Sequence, residues 1–134
     1  MAETFPQFEN NKAEDFMKNK MKLPKPVDAY IRAVNAGDAN ALLSNFAPDA
    51  VVKDVGREIR GIAAIKEWAD REIFGVNVTL EVKNAVERDG ETIVTVKIDG
   101  TFDRTGLPDP LLMDHWFAIV GDKIAALTCR LTNE

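Results

Sequence analysis

The chain has 134 residues, of which 46% are hydrophobic and 29% charged, and a net charge of −5. This length fits one domain, and the composition is that of an ordinary globular protein. The acidic balance and the lack of a basic stripe argue against nucleic acid and against an anionic membrane surface as partners. The longest apolar runs cover a few residues, far fewer than a membrane-spanning helix needs.

The chain contains a single cysteine, Cys129, so it forms no intramolecular disulfide. This fits a reducing compartment. Residues 1–22 carry acids, Asn and Lys and lack the apolar core of a secretory signal. We therefore expect a cytoplasmic protein. Because Cys129 falls in an apolar strand pattern, we also expect its thiol to be buried and inert.

Residues 1–23 differ from the rest of the chain, since they are polar with scattered apolar side chains. We expect an N-terminal extension here, either an amphipathic helix docked on the domain or a frayed arm. The segment LPKP at residues 23–26 then interrupts the chain. The domain itself is predicted to cover residues 24–134.

Three helices are predicted at the start of this domain. The first begins at Pro26 and ends at Gly37, because apolar residues recur at spacings of three and four between them. Asp38 is a good N-cap for a second, short helix. A short strand over residues 50–55 precedes the third helix, which is predicted over residues 61–75.

From residue 76 onwards, apolar and polar residues alternate with a period of two, as in half-buried strands. Asp89-Gly90 is a hairpin signal. Two further strands are predicted over residues 111–120 and 123–131, joined by a turn at Gly121-Asp122. Helices followed by a meander of strands predict an α+β domain, with the N-terminal helices packed on one face of a curved antiparallel sheet.

Asp114 is the least expected residue of these strands. It has the same parity as Leu112, Trp116 and Ala118, so the alternation places it on an apolar face. A buried carboxylate is costly unless it is paired or protonated. A structural explanation is a cross-strand partner such as Arg130; the functional one is a neutral carboxyl group in a pocket.

Asp54 and Tyr30 are each ambiguous on their own. Asp54 precedes Val55-Gly56, where an aspartate is common in turns. Tyr30 lies on the apolar face of the first helix, where a tyrosine is usually a core residue. His115 has the opposite strand parity to Asp114, so we expect it at the surface or in a dimer interface.

The sequence contains no pattern that calls for a cofactor or a metal. With a single histidine, the chain cannot form a metal site of several histidines. It also offers no second histidine as the base of a Ser-His-Asp or Cys-His arrangement. A glycine-rich phosphate loop and a paired-cysteine zinc motif are both missing from the sequence. We therefore expect neither group. Trp68, Phe102 and Trp116 either line a ligand pocket or fill the core.

Five segments carry a family resemblance. They are residues 30–38 (YIRAVNAGD), 46–54 (FAPDAVVKD), 61–65 (GIAAI), 113–117 (MDHWF) and 122–124 (DKI). Together they resemble the ketosteroid isomerase group of the superfamily that also contains nuclear transport factor 2 and the SnoaL-type polyketide cyclases. The likeness spans about residues 26–131. It implies a cone-shaped sheet with the helices on its concave face, around an apolar pocket.

The resemblance also implies catalytic roles for Tyr30, Asp54 and Asp114, which fall at the three catalytic positions of ketosteroid isomerases. Asp54 would be the base that moves a proton between carbons flanking a carbonyl group. Tyr30 and a protonated Asp114 would donate hydrogen bonds to the enolate oxygen.

Trp68, Phe102, Arg104 and Trp116 are the predicted substrate-binding residues. Arg104 shares parity with Phe102, which places a charge near the cavity mouth and favours a more polar or acidic ligand than a sterol.

The expected function is a cofactor-independent isomerase or cyclase that acts on a small steroid- or polyketide-like carbonyl compound. The alternatives are a non-catalytic protein that binds a small apolar molecule and an accessory subunit. A dehydration mechanism that uses a pair of histidines is disfavoured, because the sequence contains only His115. Epoxide hydrolysis by an Asp-Arg-Asp network is disfavoured because the adjacent Asp103 and Arg104 fall on opposite strand faces.

A homodimer through the sheet face is also expected. Apolar residues occupy the strand face opposite to Asp114, and helices on the other side would leave them uncovered. These residues are Leu111, Met113, Phe117, Ile119, Leu127 and Cys129.

Overall fold

The structure, a computed structural model, describes residues 23–132. No helix within this range is long and apolar enough to cross a membrane. The predicted extension over residues 1–23 lies outside the described residues except for Leu23. Its form, and the domain boundary drawn from it, therefore stay predictions.

Three helices precede most of the sheet, as predicted. They are α1 (Lys25–Ala36), α2 (Ala39–Leu43) and α3 (Ile62–Ala69), the last continued by a π-helical turn (Asp70–Phe74). Gly37 ends α1 in a left-handed conformation with φ of 70°, which glycine adopts without a steric penalty. Asp38 caps α2, since its side chain accepts a hydrogen bond of 3.0 Å from the backbone nitrogen of Ala41.

Within the described range, six strands form a single sheet in the order β2-β1-β6-β5-β4-β3. They are β1 (Phe46–Asp54), β2 (Arg57–Arg60), β3 (Thr79–Arg88), β4 (Glu91–Asp99), β5 (Leu112–Val120) and β6 (Lys123–Leu131). The sheet is antiparallel except where β1 pairs with β6 in parallel. The α+β class is thus confirmed, with a mixed rather than wholly antiparallel sheet.

Two elements differ from the sequence prediction because their patterns are weak. The strand β1 begins at Phe46, four residues earlier than predicted, and passes through Pro48 where its register with β6 shifts. Proline is tolerated in a strand at such an irregularity. The short strand β2 has the sequence REIR, whose charges hide any apolar alternation.

The face of β5 that meets the helices is the opposite of the one predicted. Met113, His115 and Phe117 are buried, with exposed fractions of 9%, 6% and 0%. The ring of Phe117 packs edge-on against Tyr30 of α1, with 5.5 Å between ring centroids. Asp114 and the other even-numbered residues at the centre of β5 therefore lie on the convex face of the sheet. Both faces of β5 carry large apolar residues, so parity alone did not identify the inner one.

This reversal also overturns the argument for a homodimer. Five of the six apolar residues predicted to be uncovered are core residues, and Ile119 packs against that core. The five are Leu111, Met113, Phe117, Leu127 and Cys129. Other side chains would have to form the interface of a dimer through the sheet.

Asn35 connects the end of α1 to strand β3. Its Nδ2 donates to the carbonyl oxygen of Leu80 at 3.0 Å, and its Oδ1 accepts from the nitrogen of Leu80 at 2.7 Å. One amide thus satisfies both backbone groups of a residue that faces the cavity described below.

Asn35→Ala should lower the free energy of unfolding by about 1–3 kcal/mol, because two hydrogen bonds are lost and each contributes roughly 0.5–1.5 kcal/mol net. Urea unfolding followed by circular dichroism measures this change. Arg32→Ala, which removes an exposed ion pair with Asp28 on the same helix, is the matched control and should cost less than about 0.5 kcal/mol. Equal effects of the two variants would contradict this account.

Candidate functional site

A cavity of about 370 Å³ lies between the helices and the concave face of the sheet. Its volume is within the range of small-molecule sites. Most of its lining is apolar, and its inner wall includes a phenol, a carboxylate, a thiol and an imidazole. These groups belong to Tyr30, Asp54, Cys129 and His115.

Three of these side chains form one row across the sheet. Asp54 of β1 is in register with Cys129 of β6, which in turn is in register with His115 of β5. Neighbouring strands are about 4.8 Å apart, so Asp54 and His115 are separated by roughly 10 Å at their backbones. The row therefore has a polar group at each end and a thiol between them.

Asp54 is held by two donors on one oxygen. Its Oδ2 accepts from the Nε1 of Trp68 at 3.0 Å and from the Nη2 of Arg57 at 2.7 Å. The side chain of Asp54 is 18% exposed. Both contacts use Oδ2, and Oδ1 accepts no hydrogen bond from the residues that the structure describes.

Arg57 joins Asp54 to a second acid, Glu72. Two hydrogen bonds of 2.7 Å connect the guanidinium group to the two oxygens of Glu72. The hydrogen bond from Arg57 lowers the pKa of Glu72, and the two acids raise the pKa of Arg57. Glu72 lines the cavity, so this network forms part of its mouth.

Sequence reasoning missed the network. The argument against an acid-arginine-acid arrangement considered only Asp103 and Arg104, whereas the structure builds one from Asp54, Arg57 and Glu72. A signal for the first contact was present: Asp54 and Arg57 are paired across the tight turn between β1 and β2. Glu72 is fifteen residues further along the chain and has no local signal.

Tyr30 contributes an O–H donor. Desolvation raises the pKa of its phenol well above the ordinary value, and the nearby Cys129 and Asp54 raise it further. The ring is fixed between two aromatic neighbours, Phe46 at 6.0 Å and Phe117 at 5.5 Å between centroids. Tyr30 is therefore protonated and held in place at any ordinary pH.

His115 is a buried residue of the cavity wall, and the prediction that it lies at the surface is wrong. Desolvation lowers its pKa to about 4, against a smaller raising effect of Asp54 and Asp114. The imidazole is therefore neutral near pH 7. Its Nδ1 atom is buried without a hydrogen-bond partner among residues 23–132.

Cys129 is buried, as predicted. Desolvation raises the pKa of its thiol, and Asp54 raises it further. The nucleophilic form of cysteine is the thiolate. The protonated thiol thus acts as an apolar part of the wall.

Asp114 does not reach the cavity. Its Oδ1 accepts from the hydroxyl groups of Thr95 at 2.7 Å and Thr132 at 3.1 Å. Arg130 is opposite Asp114 in the strand register, but its guanidinium group lies over the ring of Trp116 at 4.8 Å. The predictions that Asp114 and Trp116 face the pocket are both wrong, because they share the convex face.

Of the remaining predicted residues, Trp68 and Phe102 line the cavity and Arg104 does not. Strand β4 ends at Asp99, so strand parity does not extend to Arg104. Its guanidinium group binds Asp99 at 3.0 Å and covers the Phe102 ring at 4.9 Å from the centroid. Gly100 permits this arrangement, since a Cβ atom there would lie 2.9 Å from the Phe102 ring.

The cavity holds no evident metal site. Among residues 23–132, no cluster of three His, Cys, Asp or Glu side chains could hold a metal ion. The polar groups that the lining itself offers include those of Asp54, Tyr30 and His115.

Comparison with known proteins identifies the family. The model of the SnoaL-like domain matches residues 27–127. The chain belongs to this family. The SnoaL-like chain is also 30% identical to a Sinorhizobium meliloti protein described as a candidate polyketide cyclase. That match covers 83% of this chain and 98% of the other, with a TM-score of 0.74.

Two more distant structures share the fold. One, from Catenulispora acidiphila, has a ketosteroid isomerase-like fold and contains trimethylamine; it is 23% identical over 79% of this chain and 84% of its own, with a TM-score of 0.66. The other, from Mycobacterium tuberculosis, contains estradiol-17β-hemisuccinate; it is 16% identical over 78% and 88%, with a TM-score of 0.67. The predicted resemblance is thus confirmed, to SnoaL-like proteins as the family and to ketosteroid isomerase-like proteins as the fold.

The burial of His115 predicts a pH-dependent stability. Unfolded chains protonate histidine near pH 6.5, whereas the native SnoaL-like domain does so only near pH 4. The unfolded state therefore binds more protons in this window, and the free energy of unfolding should fall by about 3 kcal/mol as the pH drops through it.

Urea unfolding at a series of pH values measures this effect. The variant His115→Leu should lack this part of the loss, since it has no imidazole to protonate and all other titratable groups are common to both proteins. Curves for the wild type and the variant that run parallel between pH 4 and 7 would contradict the burial of a neutral histidine.

Proposed function

We propose that this SnoaL-like protein catalyses cofactor-independent proton transfer on a small, ring-containing carbonyl compound bound in the cavity. The observation that carries the proposal is the carboxylate of Asp54, which lines an apolar cavity together with the phenol of Tyr30 and whose Oδ1 accepts no hydrogen bond from the described residues. A base and a hydrogen-bond donor are the two groups that enolisation of a ketone requires.

In the proposed reaction, Asp54 Oδ1 removes a proton from the carbon next to the carbonyl group. The electron pair moves to the carbonyl oxygen, and the Tyr30 O–H donates a hydrogen bond to the enolate that forms. Return of the proton from Asp54 to a different carbon completes an isomerisation. Attack of the enolate carbon on a second carbonyl group of the same molecule, with the proton passing to the new alkoxide, completes an aldol cyclisation.

The surroundings of Asp54 support a role as base. Trp68 and Arg57 fix the carboxylate through Oδ2, so that Oδ1 has one orientation. Positioning of this kind supplies a large part of catalysis. The likeness to the candidate polyketide cyclase of Sinorhizobium meliloti and to a steroid-containing structure supports the substrate class.

A second candidate function is binding of the same class of ligand without turnover. Two donors on Oδ2 are also what a purely structural carboxylate at the end of β1 would show. Turnover that depends on Asp54 distinguishes the two functions.

Asp54→Asn should abolish exchange of the ligand's α-hydrogens while leaving its dissociation constant nearly unchanged, because the amide keeps the shape but cannot take the proton. The loss should be at least about 100-fold in rate. Proton NMR in deuterium oxide measures the exchange on a panel of β,γ-unsaturated ketones, polyketide-like enones and β-tetralone.

Asp114→Asn is the matched control, since the carboxyl group of Asp114 lies on the other face of the sheet, and its exchange rate should equal that of the wild type. No Asp54-dependent exchange across the panel would leave ligand binding as the function. Asp54-dependent opening of a cyclic epoxide without ketone exchange would assign the Asp54-Arg57-Glu72 network to hydrolysis instead.

We also propose that the protein is a homodimer through the convex face of the sheet. Trp116 and Ile93 are neighbours in the register of β5 and β4 on this face. Asp114 and Arg130 add opposite charges beside them, and a surface with both signs can complement a copy of itself.

Light scattering at micromolar concentration should give twice the mass of the chain for the wild type and the single mass for Trp116→Glu, which buries a charge in the interface. Asn40→Glu, an exposed change on α2, is the control and should remain dimeric. A monomeric wild type would contradict the proposal.

A further inference from the structure

Arg57 lies between two carboxylates and binds them unequally. Its Nη1 and Nη2 atoms donate to the two oxygens of Glu72, each at 2.7 Å. Asp54 receives one hydrogen bond from this guanidinium group, from Nη2 to Oδ2 at 2.7 Å. The carboxylate that would act as the base is therefore the one that meets Arg57 with a single oxygen.

This arrangement is the reverse of what position alone favours. An arginine that meets a carboxylate often forms two parallel hydrogen bonds, one to each oxygen. Arg57 is paired with Asp54 across the turn between β1 and β2, whereas Glu72 is fifteen residues away in the chain. The side chain of Asp54 is also the less exposed of the two acids, at 18% against 35%. Both proximity and burial would make Asp54 the bidentate partner.

The backbone is unusual on both sides of this network. Val55, in the turn before Arg57, has a φ of 45°, which a β-branched residue rarely adopts. Glu72 lies in the π-helical turn after α3, and such turns are frequent at functional sites. Gly75 closes that turn, because a Cβ atom there would lie 2.7 Å from the carbonyl oxygen of Asp70. These local conformations bring the guanidinium group and the second acid together.

We propose that Glu72 is a positioning residue that prevents Arg57 from pairing with both oxygens of Asp54. Glu72 occupies both terminal nitrogens of the guanidinium group, so Asp54 is bound through Oδ2 and its Oδ1 accepts no hydrogen bond from the described residues. This inference deepens the proposed function and rests on it, since Oδ1 is the oxygen that would take the proton.

The charge state of Glu72 supports this role. The hydrogen bond from Arg57 lowers the pKa of Glu72, so the carboxylate stays ionised at neutral pH and competes with Asp54 for the guanidinium group. An isolated exposed ion pair contributes little to stability, and the side chain of Arg57 is 51% exposed. An ordinary surface pair of this kind could be removed without any effect on Asp54.

Glu72→Gln tests the proposal, because an amide keeps the shape of the side chain but has one acceptor oxygen. Arg57 should then turn towards both oxygens of Asp54. The rate of α-hydrogen exchange on the ketone panel should fall about 10–100-fold, as it does when a reacting group is misplaced by a short distance. Proton NMR in deuterium oxide measures this rate.

Arg57→Met shows whether Glu72 acts through Arg57, since methionine has no N–H to offer either acid. In the Arg57→Met background, Glu72→Gln should change the exchange rate by less than about twofold. The double variant should also be faster than Glu72→Gln alone. Equal losses with and without Arg57 would overturn the inference, because Glu72 would then act on the ligand or the fold directly.

Glu58→Gln is the matched control. It is the same substitution at an acid of β2, which pairs with Arg60 at 2.7 Å. Its exchange rate should equal that of the wild type, and thermal unfolding should show that all variants are folded at the assay temperature. A Glu72→Gln variant as active as Glu58→Gln would overturn the inference.

Trp68 provides a readout that does not need turnover. Its Nε1 donates to the same Oδ2 of Asp54 at 3.0 Å. The chain has two tryptophans, and Trp116→Phe assigns their two indole signals in a proton–nitrogen NMR spectrum. Glu72→Gln should shift the Trp68 signal when Arg57 is present and leave it in place in the Arg57→Met background.

The outcome is separable from that of the proposed function. If the wild type shows no exchange but the Trp68 signal follows this pattern, the catalytic proposal fails and the control of Arg57 by Glu72 stands. If exchange depends on Asp54 while Glu72→Gln changes neither the rate nor the Trp68 signal, the proposed function stands and this inference fails.

Discussion

The site depends on which face of strand β5 meets the helices. Successive side chains of a strand point to opposite faces, so a single assignment decides every residue of the strand. Packing of Phe117 against Tyr30 makes the odd-numbered residues the inner set. His115 thereby enters the cavity and Asp114 leaves it. The row of Asp54, Cys129 and His115 follows from this one contact and the strand register.

The electrostatics of the cavity follow from burial along this row. Burial keeps His115 neutral and keeps Tyr30 and Cys129 protonated, since each charged form would lose its hydration. At the mouth, Arg57 lies between Asp54 and Glu72 and is bound to both. The inner wall thus combines a fixed carboxylate with neutral hydrogen-bonding groups.

Much of the fold was predictable from local patterns, and part of the site was not. The helix periodicity, the Asp38 cap and the hairpin at Asp89-Gly90 are local signals, and the structure has them. Tyr30 and Asp54 were found through the family resemblance, and both line the cavity. The inner face of β5 was misassigned because Trp116 and Phe117 give both faces a large apolar side chain. Glu72 was missed because its contact with Arg57 depends on tertiary structure alone.

The central claim is that the inner face of β5 carries a buried, neutral histidine. His115 is the single histidine of the sequence, so nitrogen-15 NMR of tag-free, histidine-labelled protein reports on this residue alone. We predict imidazole shifts of a neutral ring from pH 7 down to about 4. A titration near the ordinary value of about 6.5 would contradict the account.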